Sequence, residues 1–260
     1  MIDLERDGAI FTLTMDDGEN RWNTTFVRAF SEIIDEIEAS DGPAALITTS
    51  ADPKFFSNGL DLDWVQSRSP QPDDPGGDRG VFGAEFMALM SRIITLPIPS
   101  IAAINGHAIA GGMEFVQGTD IRVSVPTAKF GVQEVKHAIF PAGASTVRLP
   151  RQIPYAKAME LLLTGDLITA DEALSLGFLN YVVEPAELMP KAMEIAEKLA
   201  ANGPIAVQAI RKSVREVWGH PEKEAMKIES AHARPVFASD DAVEGPKAFM
   251  EKRAPMYKGR

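Results

Sequence analysis

The sequence predicts an α/β fold, because patterns typical of buried strands and amphipathic helices alternate through the first part of its 260 residues. Residues 9–15 alternate between apolar and polar side chains, as a half-buried strand does. Residues 25–39 place their apolar side chains on one helical face, and this helix should end before Gly42 and Pro43. The apolar run 44–49 then predicts a buried strand, which gives the order strand, helix, strand.

The same two patterns continue toward the middle of the chain. An amphipathic helix is predicted over residues 85–96, where prolines end it, and a buried strand over 100–104. A helix is expected to begin near Gly112 and to run to about Gly118, and residues 121–125 predict another strand. Residues 66–83 are rich in proline, glycine and aspartate, which predicts a mobile surface loop between elements.

Helices dominate the sequence beyond about residue 150, and the strand signals end at Val182 and Val183. The chain is therefore divided into an α/β core of residues 1–202 and a C-terminal helical region of residues 203–260, which meet near Gly203. Helical periodicity is found in residues 156–163, 169–176, 185–201, 204–217 and 222–237.

Composition and charge exclude several classes of function. The 26 lysines and arginines against 37 acidic residues give a net charge of −11, which opposes general binding to nucleic acid. The absence of cysteine excludes disulfides and thiolate zinc sites, and no spacing among the four histidines predicts a metal site. Charges occupy the N-terminal region where a signal peptide would be apolar, and no apolar run approaches the roughly 18 residues of a membrane span. We therefore expect a cytoplasmic protein without a membrane segment.

Two glycine-bearing segments stand where strands give way to helices. In the first, Gly59 allows a sharp turn that exposes the next backbone amide. In the second, Gly111 and Gly112 open a helix whose first amides carry partial positive charge. Each segment on its own is a common way to begin a helix.

Two glutamates, Glu114 and Glu134, lie among apolar neighbours without an obvious local partner. A buried carboxylate is costly unless it is paired, hydrogen-bonded or used in function. The spacing of these residues in the sequence does not by itself show that they meet in the fold.

Taken together, these motifs resemble those of the enoyl-CoA hydratase/isomerase, or crotonase, superfamily, and the similarity extends over nearly the whole chain. This resemblance implies a crotonase-like spiral of β-β-α turns, followed by a helical C-terminal region that packs subunits into trimers, often paired as hexamers. The matching motifs lie in residues 56–62, 105–114, 130–134, 141–149, 163–177 and 249–253.

The resemblance also implies a reaction. The thioester carbonyl of an acyl-CoA would accept hydrogen bonds from the N–H groups of Leu60 and Gly111, which stabilise the negative charge of an enolate. Glu114 and Glu134 match the two positions where hydratases of this superfamily carry glutamates, so they are the expected acid–base pair. We therefore expect an enoyl-CoA hydratase, which adds water to a 2-enoyl-CoA and gives a 3-hydroxyacyl-CoA.

Coenzyme A is part of this substrate, so no separate cofactor is expected. The motif Phe56–Leu62 has leucine at position 60, where the superfamily often has alanine, and Asp63 stands where a lysine is common. The latter departure weakens one expected contact with phosphate. Coenzyme A contacts are expected from residues of the same chain, and from Phe249 and Lys252 of a neighbouring subunit. The same-chain residues are Arg21, Trp22, Lys54, Asp61 and Leu62.

Two kinds of alternative remain open at this point. The first is another reaction on the same scaffold, either double-bond isomerisation or hydration of crotonobetainyl-CoA. The second is a non-catalytic acyl-CoA-binding protein. Both glutamates argue against the second alternative, because a protein that only binds its ligand has no need of them.

Overall fold

The computed structural model describes residues 1–40, 42, 44–67 and 77–260. In these ranges the chain forms two β-sheets that are surrounded by α-helices, with further helices at the C-terminal end. The strands of the larger sheet are β1 (Ile2–Asp7), β2 (Ile10–Met15), β3 (Ala45–Ser50), β5 (Ser100–Ile104), β7 (Ile121–Ser124) and β10 (Tyr181–Val182). The strands of the smaller sheet are β4 (Phe55–Ser57), β6 (His107–Ile109), β8 (Lys129–Gly131) and β9 (Ile168–Thr169).

The remaining regular elements are helices. Short 3-10 helices at Glu134–His137 and Pro185–Glu187 supplement them. The α-helices are α1 (Thr24–Ala39), α2 (Leu62–Ser67), α3 (Gly77–Thr95), α4 (Gly111–Gly118), α5 (Ser145–Gln152), α6 (Tyr155–Thr164), α7 (Ala170–Ser175), α8 (Leu188–Ala200), α9 (Pro204–Glu216), α10 (Glu222–Phe237) and α11 (Asp240–Met250).

From β3 to β8 the strands alternate between the two sheets along the chain. The larger sheet has the order β1-β2-β3-β5-β7-β10, antiparallel between β1 and β2 and parallel beyond. The smaller sheet has the order β4-β6-β8-β9, with β4, β6 and β8 parallel. Each pair β3–β4, β5–β6 and β7–β8 therefore adds one strand to each sheet before a helix returns the chain. This is the β-β-α spiral that the resemblance of the sequence motifs implies.

Burial explains why these segments form these elements. Strands β3 and β5 are buried at every residue, as expected for parallel strands covered on both faces. Helix α1 buries Phe26, Phe30 and Ile34 on one face, and Asn23 caps it by accepting a hydrogen bond from the Phe26 amide at 2.9 Å. The alternating and amphipathic patterns of the sequence thus correspond to core faces.

The prediction of a loop over residues 66–83 was wrong at both ends. Residues 66 and 67 belong to α2, and α3 begins at Gly77 rather than near residue 85. Helix α3 packs against α1, and its Phe82 stacks on Phe86 with ring centroids 5.6 Å apart. This packing outweighs the weak helix propensity of the glycines in the segment. Residues 68–76 of the predicted loop lie outside the described residues.

Other elements were not predicted. Strand β1 carries four charged side chains among its six residues and lies at the edge of the larger sheet, so it has no apolar alternation to recognise. Strands β6 and β8 have three residues each, which is too short for a periodic pattern. Strand β4 is equally short, and only its end before the turn at Gly59 was expected. The division of the chain at residue 202 stays a prediction. Among the described helices, none is long and apolar enough to cross a membrane.

Candidate active site

Two turns, one after β4 and one after β6, lie in direct contact. Gly59 adopts a φ of +78°, and a Cβ atom placed on it would lie 2.7 Å from the Cβ of Ala110 and 3.4 Å from the nitrogen of Gly111. A side chain at position 59 would therefore be both strained and obstructed. Glycine at this position allows the two turns to touch, and the role of the Leu60 and Gly111 amides stays a prediction.

The direction of the Leu60 amide follows from the pairing of its neighbours. The backbone N–H of Trp22 donates to the Gly59 carbonyl at 2.7 Å, and the backbone N–H of Asp61 donates to the Trp22 carbonyl at 3.0 Å. Trp22 and Leu60 thus form a short parallel bridge. Because successive backbone amides in an extended segment point to opposite sides, the Leu60 N–H points away from this bridge. Leu60 itself lines a cavity together with Ala110 and Glu134.

Gly111 is the first residue of α4, so its amide belongs to the turn whose N–H groups have no intrahelical acceptor. The preceding Ala110 has φ 50° and ψ −119°, a strained conformation held by a hydrogen bond from its N–H to the Gly131 carbonyl at 2.8 Å. A Cβ atom on Gly111 would lie 2.7 Å from Cδ1 of Trp22 and 3.3 Å from Cζ of Phe86. Position 111 therefore requires glycine.

Glu114 lies in the first turn of α4 and is only 3% exposed. The pKa of its carboxyl is raised to about 8, first by burial and then by the negative charge of Glu134, while hydrogen bonds from Ser145 and the Gly143 backbone act in the opposite direction. Oε1 of Glu114 has no hydrogen-bond partner among the described residues. The carboxyl is thus fixed by hydrogen bonds, while its Oε1 atom has no partner.

Glu134 begins the 3-10 helix that follows β8 and is 8% exposed. Burial raises the pKa of its carboxyl to about 7, against the effect of a hydrogen bond from its own backbone amide. Its Oε2 also has no partner within the described part of the chain. The structure therefore brings together two buried carboxyls, each with an unpartnered oxygen, on successive turns of the spiral.

The cavity beside Glu134 has a volume of about 180 Å³. Its polar side chains come from three places in the sequence, and its apolar wall comes from the turns around Leu60 and Ala110. A small reacting group could thus contact the two turns and a carboxyl at once. The lining residues are Arg21, Asn58, Leu60, Leu62, Ile109, Ala110, Gln133, Glu134, His137 and Ile139.

Some of the predicted coenzyme A contacts lie at this cavity. Arg21 and Leu62 line it, and the Arg21 guanidinium is paired with Glu19 at 2.5 Å. Glu19 also accepts a hydrogen bond from the Asn58 side chain at 2.8 Å, which is the main cause of its lowered pKa. Asp61 uses its carboxylate within the fold, because it accepts hydrogen bonds from the Trp64 amide and the Asn23 side chain.

Other predicted contacts lie elsewhere. Lys54 places its ammonium over the ring of Phe55, 4.9 Å from the centroid. Phe249 is 82% exposed at the end of α11, and Lys252 follows that helix with a φ of 54°. Neither Phe249 nor Lys252 lines the cavity of this chain. This placement leaves their predicted role, as contributions to a neighbouring subunit, a prediction.

The Trp22 side chain lies in the core and does not line the cavity beside Glu134. Trp22 is 1% exposed and packs among aromatic residues of the core. Its indole N–H has no partner among the described residues, yet the atom is itself buried. The Trp22 side chain therefore packs in the core beside the turn at Leu60, and its predicted contact with coenzyme A stays a prediction. Its ring neighbours are Phe26, Phe30, Phe86 and Phe115.

Three residues that support Glu114 were not among the predicted site residues. Ser145 was expected only to begin a helix, which it does as the first residue of α5, but it also hydrogen-bonds Glu114. Gly143 lies against the carboxyl, and Arg148 is close enough for Glu114 to raise its pKa, although burial lowers it more. Within residues 141–146, Gly143 was the only local feature of the sequence that pointed to this support of Glu114. Among the described residues, no group of three or more histidines and acids could hold a metal ion.

Comparison with known proteins gives one consistent family. Residues 5–260 match the family model described as enoyl-CoA hydratase/isomerase. The chain is 42% identical to a Mycobacterium tuberculosis protein named enoyl-CoA hydratase EchA19, over 99% of this chain and 96% of that one. It is 36% identical to the carnitinyl-CoA dehydratase of Escherichia coli K12, over 99% and 98%. A crystal structure of an enoyl-CoA hydratase from Bacillus anthracis superposes with a TM-score of 0.94 at 31% identity, covering 100% of this chain and 99% of that one.

Proposed function

Because the chain belongs to the enoyl-CoA hydratase/isomerase family, we propose that it adds water to a 2-enoyl-CoA thioester and releases a 3-hydroxyacyl-CoA. The observation that carries this proposal is the pair of buried carboxyls, Glu114 and Glu134, each with an unpartnered oxygen and a raised pKa. An isomerase needs a single base, whereas hydration must both deprotonate a water and protonate a carbon. Two acids near neutrality suit the second task.

The thioester oxygen is bound by the two turns that touch at Gly59. In this proposal the N–H groups of Leu60 and Gly111 donate to that oxygen, and the partial positive charge at the start of α4 adds to their effect. Addition of water at C3 transfers an electron pair toward the thioester, so negative charge collects on this oxygen. Removing one such pre-aimed donor typically costs about 3–4 kcal/mol of barrier.

The proton transfers are divided between the two carboxyls. Two neighbouring carboxyls whose pKa values are raised to about 8 and about 7 share a single proton over much of the neutral range. The ionised member takes a proton from water as its oxygen bonds to C3, and the protonated member gives its proton to C2. The pair thus starts and ends a turnover with the same total number of protons. Neither glutamate is assigned as the sole base.

The remaining parts of the proposal concern binding, assembly and location. Arg21 and Leu62 contact coenzyme A at the cavity that they line. Lys54, which does not line this cavity, contributes a positive charge to the binding of coenzyme A. Phe249 and Lys252 reach a neighbouring subunit in a trimer or hexamer. The exposed apolar side chains of α9 to α11, which include Ile210, support such an assembly. The absence of cysteine supports a cytoplasmic location.

A second candidate on the same scaffold is hydration of crotonobetainyl-CoA. The relatives named carnitinyl-CoA dehydratase, which match 99% of this chain, favour it. Both candidates share the thioester, the hydration step and the two carboxyls, so the site residues above serve either. They differ only in the group carried beyond C3.

A panel of thioesters tests these candidates. A short, a long and a branched 2-enoyl-CoA, a 3-enoyl-CoA and crotonobetainyl-CoA are each incubated with the protein, and the absorbance of the conjugated thioester is followed. We expect the absorbance of at least one 2-enoyl ester to fall, with a 3-hydroxyacyl product identified by mass spectrometry. Conversion of the 3-enoyl ester without a gain of water would support an isomerase. Binding of the esters without turnover would support the non-catalytic alternative.

A further inference from the structure

A second cavity, with a volume of about 600 Å³, lies where the C-terminal end of α4, helix α5 and helix α9 meet. It shares no lining residue with the cavity beside Glu134. The ionisable residues that line it are four arginines and a single aspartate, in a chain whose net charge is −11. These residues are Asp120, Arg122, Arg148, Arg151 and Arg215.

We call this second cavity the arginine cavity. Both oxygens of its single carboxylate, that of Asp120, already have partners. Oδ1 of Asp120 is paired with Arg215 at 2.5 Å, and Oδ2 is paired with Arg211 at 2.6 Å. Oδ2 also accepts hydrogen bonds from the backbone amide and the hydroxyl of Ser100. Asp120 therefore cannot balance the remaining arginines, and the cavity carries an excess of positive charge.

The arginines of the cavity also act on one another. Burial lowers the pKa of Arg215, Asp120 opposes this effect, and the positive charges of Arg211 and Arg148 lower the pKa further. Like charges that come this close repel each other, and Asp120 supplies only one negative charge against them. A bound anion would relieve both the repulsion and the desolvation.

Unpartnered polar atoms are found on buried side chains of the same cavity. Arg122 is 7% exposed and donates to the carbonyls of Phe178, Gln117 and Thr119, yet its Nε has no partner among the described residues. Nη1 of Arg215 is also buried and has no hydrogen-bond partner among the described residues. Native structures satisfy most buried donors, so an acceptor is expected near these arginines.

The cavity wall also holds an unpartnered acceptor whose orientation is fixed. The Gln152 amide nitrogen donates to the Gln117 carbonyl at 2.9 Å, so its oxygen, Oε1, must be the other atom of the amide. This oxygen has no partner within the described residues. A ligand that satisfies the cavity must therefore offer a hydrogen-bond donor as well as negative charge.

We propose that the arginine cavity is a binding site for inorganic phosphate. Arginines from β7, α5 and α9 line it, and guanidinium groups bind the oxygens of a tetrahedral anion well. Inorganic phosphate keeps at least one hydroxyl at neutral pH, and this hydroxyl donates to an amide oxygen such as that of Gln152. Sulfate and carboxylates carry no such donor at neutral pH. The proposal does not depend on the reaction assigned to the other cavity.

Calorimetric titration with inorganic phosphate tests the site in the full-length protein. The titration is done with saturating coenzyme A, so that sites for the phosphates of the substrate are filled, and at constant ionic strength, with sulfate and a phosphate monoester as competing probes. We expect the wild-type protein to bind inorganic phosphate more tightly than either probe. Arg215→Gln should weaken phosphate binding about tenfold or more, because it removes a charge-assisted hydrogen bond.

Three further variants make the result specific. Arg6→Gln removes one positive charge from β1 and should leave phosphate binding unchanged. Gln152→Leu removes the acceptor and should abolish the preference for phosphate over sulfate. Arg151→Gln changes an exposed side chain at the same cavity and carries the test if Arg215→Gln does not fold. Absence of phosphate binding by the wild-type protein would overturn the proposal, and so would an equal loss in Arg6→Gln.

Discussion

Gly143 lies directly against the carboxyl of Glu114: a Cβ atom placed on Gly143 would be 2.3 Å from Oε2 and 2.5 Å from Cδ. The same atom would be 2.8 Å from Cε1 of Phe86, so a side chain at position 143 has no room. The glycine therefore fixes where one of the two acids can lie, although it carries no functional group.

Substitution of this glycine should impair catalysis more than binding. Gly143→Ala must displace the Glu114 carboxyl, and misplacement of a catalytic group by about 1 Å can cost on the order of 100-fold in rate. We expect kcat to fall by about that factor while KM for the acyl-CoA changes little, as measured by steady-state kinetics. The matched control is Gly80→Ala in α3, where a Cβ atom meets nothing within 4 Å. A normal kcat in Gly143→Ala would show that the contact does not hold the carboxyl.

Removal of either carboxyl should reduce turnover strongly. Glu114→Gln and Glu134→Gln each keep the shape of the side chain but remove one member of the pair, and we expect kcat to fall by about two orders of magnitude or more. The affinity for coenzyme A, measured by calorimetry, should stay close to that of the wild-type protein. Near-normal rates in both variants would remove the proposed mechanism.

The two glutamates should also make the protein less stable as pH rises. Their pKa values in the folded protein, about 8 and about 7, lie above the ordinary value of 4.5, so the folded state binds more protons than the unfolded state between these limits. The unfolding free energy therefore falls as pH rises from about 4.5 to about 8, by up to a few kcal/mol.

Comparison of Tm values tests this dependence. Glu114→Gln should be more stable than the wild-type protein at pH 8.5, and the difference should vanish near pH 4.5, where both side chains are neutral. Thermal unfolding in a series of buffers of equal ionic strength gives the two curves. Parallel curves over the whole range would mean that the Glu114 carboxyl is not destabilised by burial.

Trp22 and Arg21 are adjacent in sequence but should respond oppositely to substitution. Trp22→Phe leaves a gap in the aromatic core and should lower the unfolding free energy by about 1–3 kcal/mol, with KM for the acyl-CoA nearly unchanged. Arg21→Gln should raise KM severalfold with little effect on stability, because its pairing with Glu19 is exposed to solvent. A raised KM in Trp22→Phe with normal stability would support the sequence-based role of Trp22 as a ligand contact.

Local patterns in the sequence were sufficient to predict the elements that carry their own periodicity. Helix α1 was placed to within one residue at its start, because its apolar side chains recur on one face. The turns at Gly59 and Gly111 were also identified, since glycine is required where the two backbones touch. Strands β6 and β8 were missed, because their pairing in the smaller sheet depends on distant parts of the chain.

The support of the site depends on tertiary contacts that no local pattern encodes. Ser145 and Arg148 approach Glu114 only because α5 packs against α4, and neither residue has an unusual sequence context. Trp22 was assigned to ligand binding by resemblance, whereas the fold buries its side chain among four phenylalanines. Burial of an aromatic residue at a loop could not be predicted without the position of α3.

The smaller sheet sets the spacing of the chemistry. Leu60, Gly111 and Glu134 each follow one of three neighbouring parallel strands, β4, β6 and β8, and such strands lie about 4.8 Å apart. The interval between the three groups is therefore fixed by backbone hydrogen bonds rather than by side chains. Longer loops outside these three strands would change which acyl groups fit, while the reacting atoms keep their separation. One scaffold can therefore accept different substrates and keep its reaction.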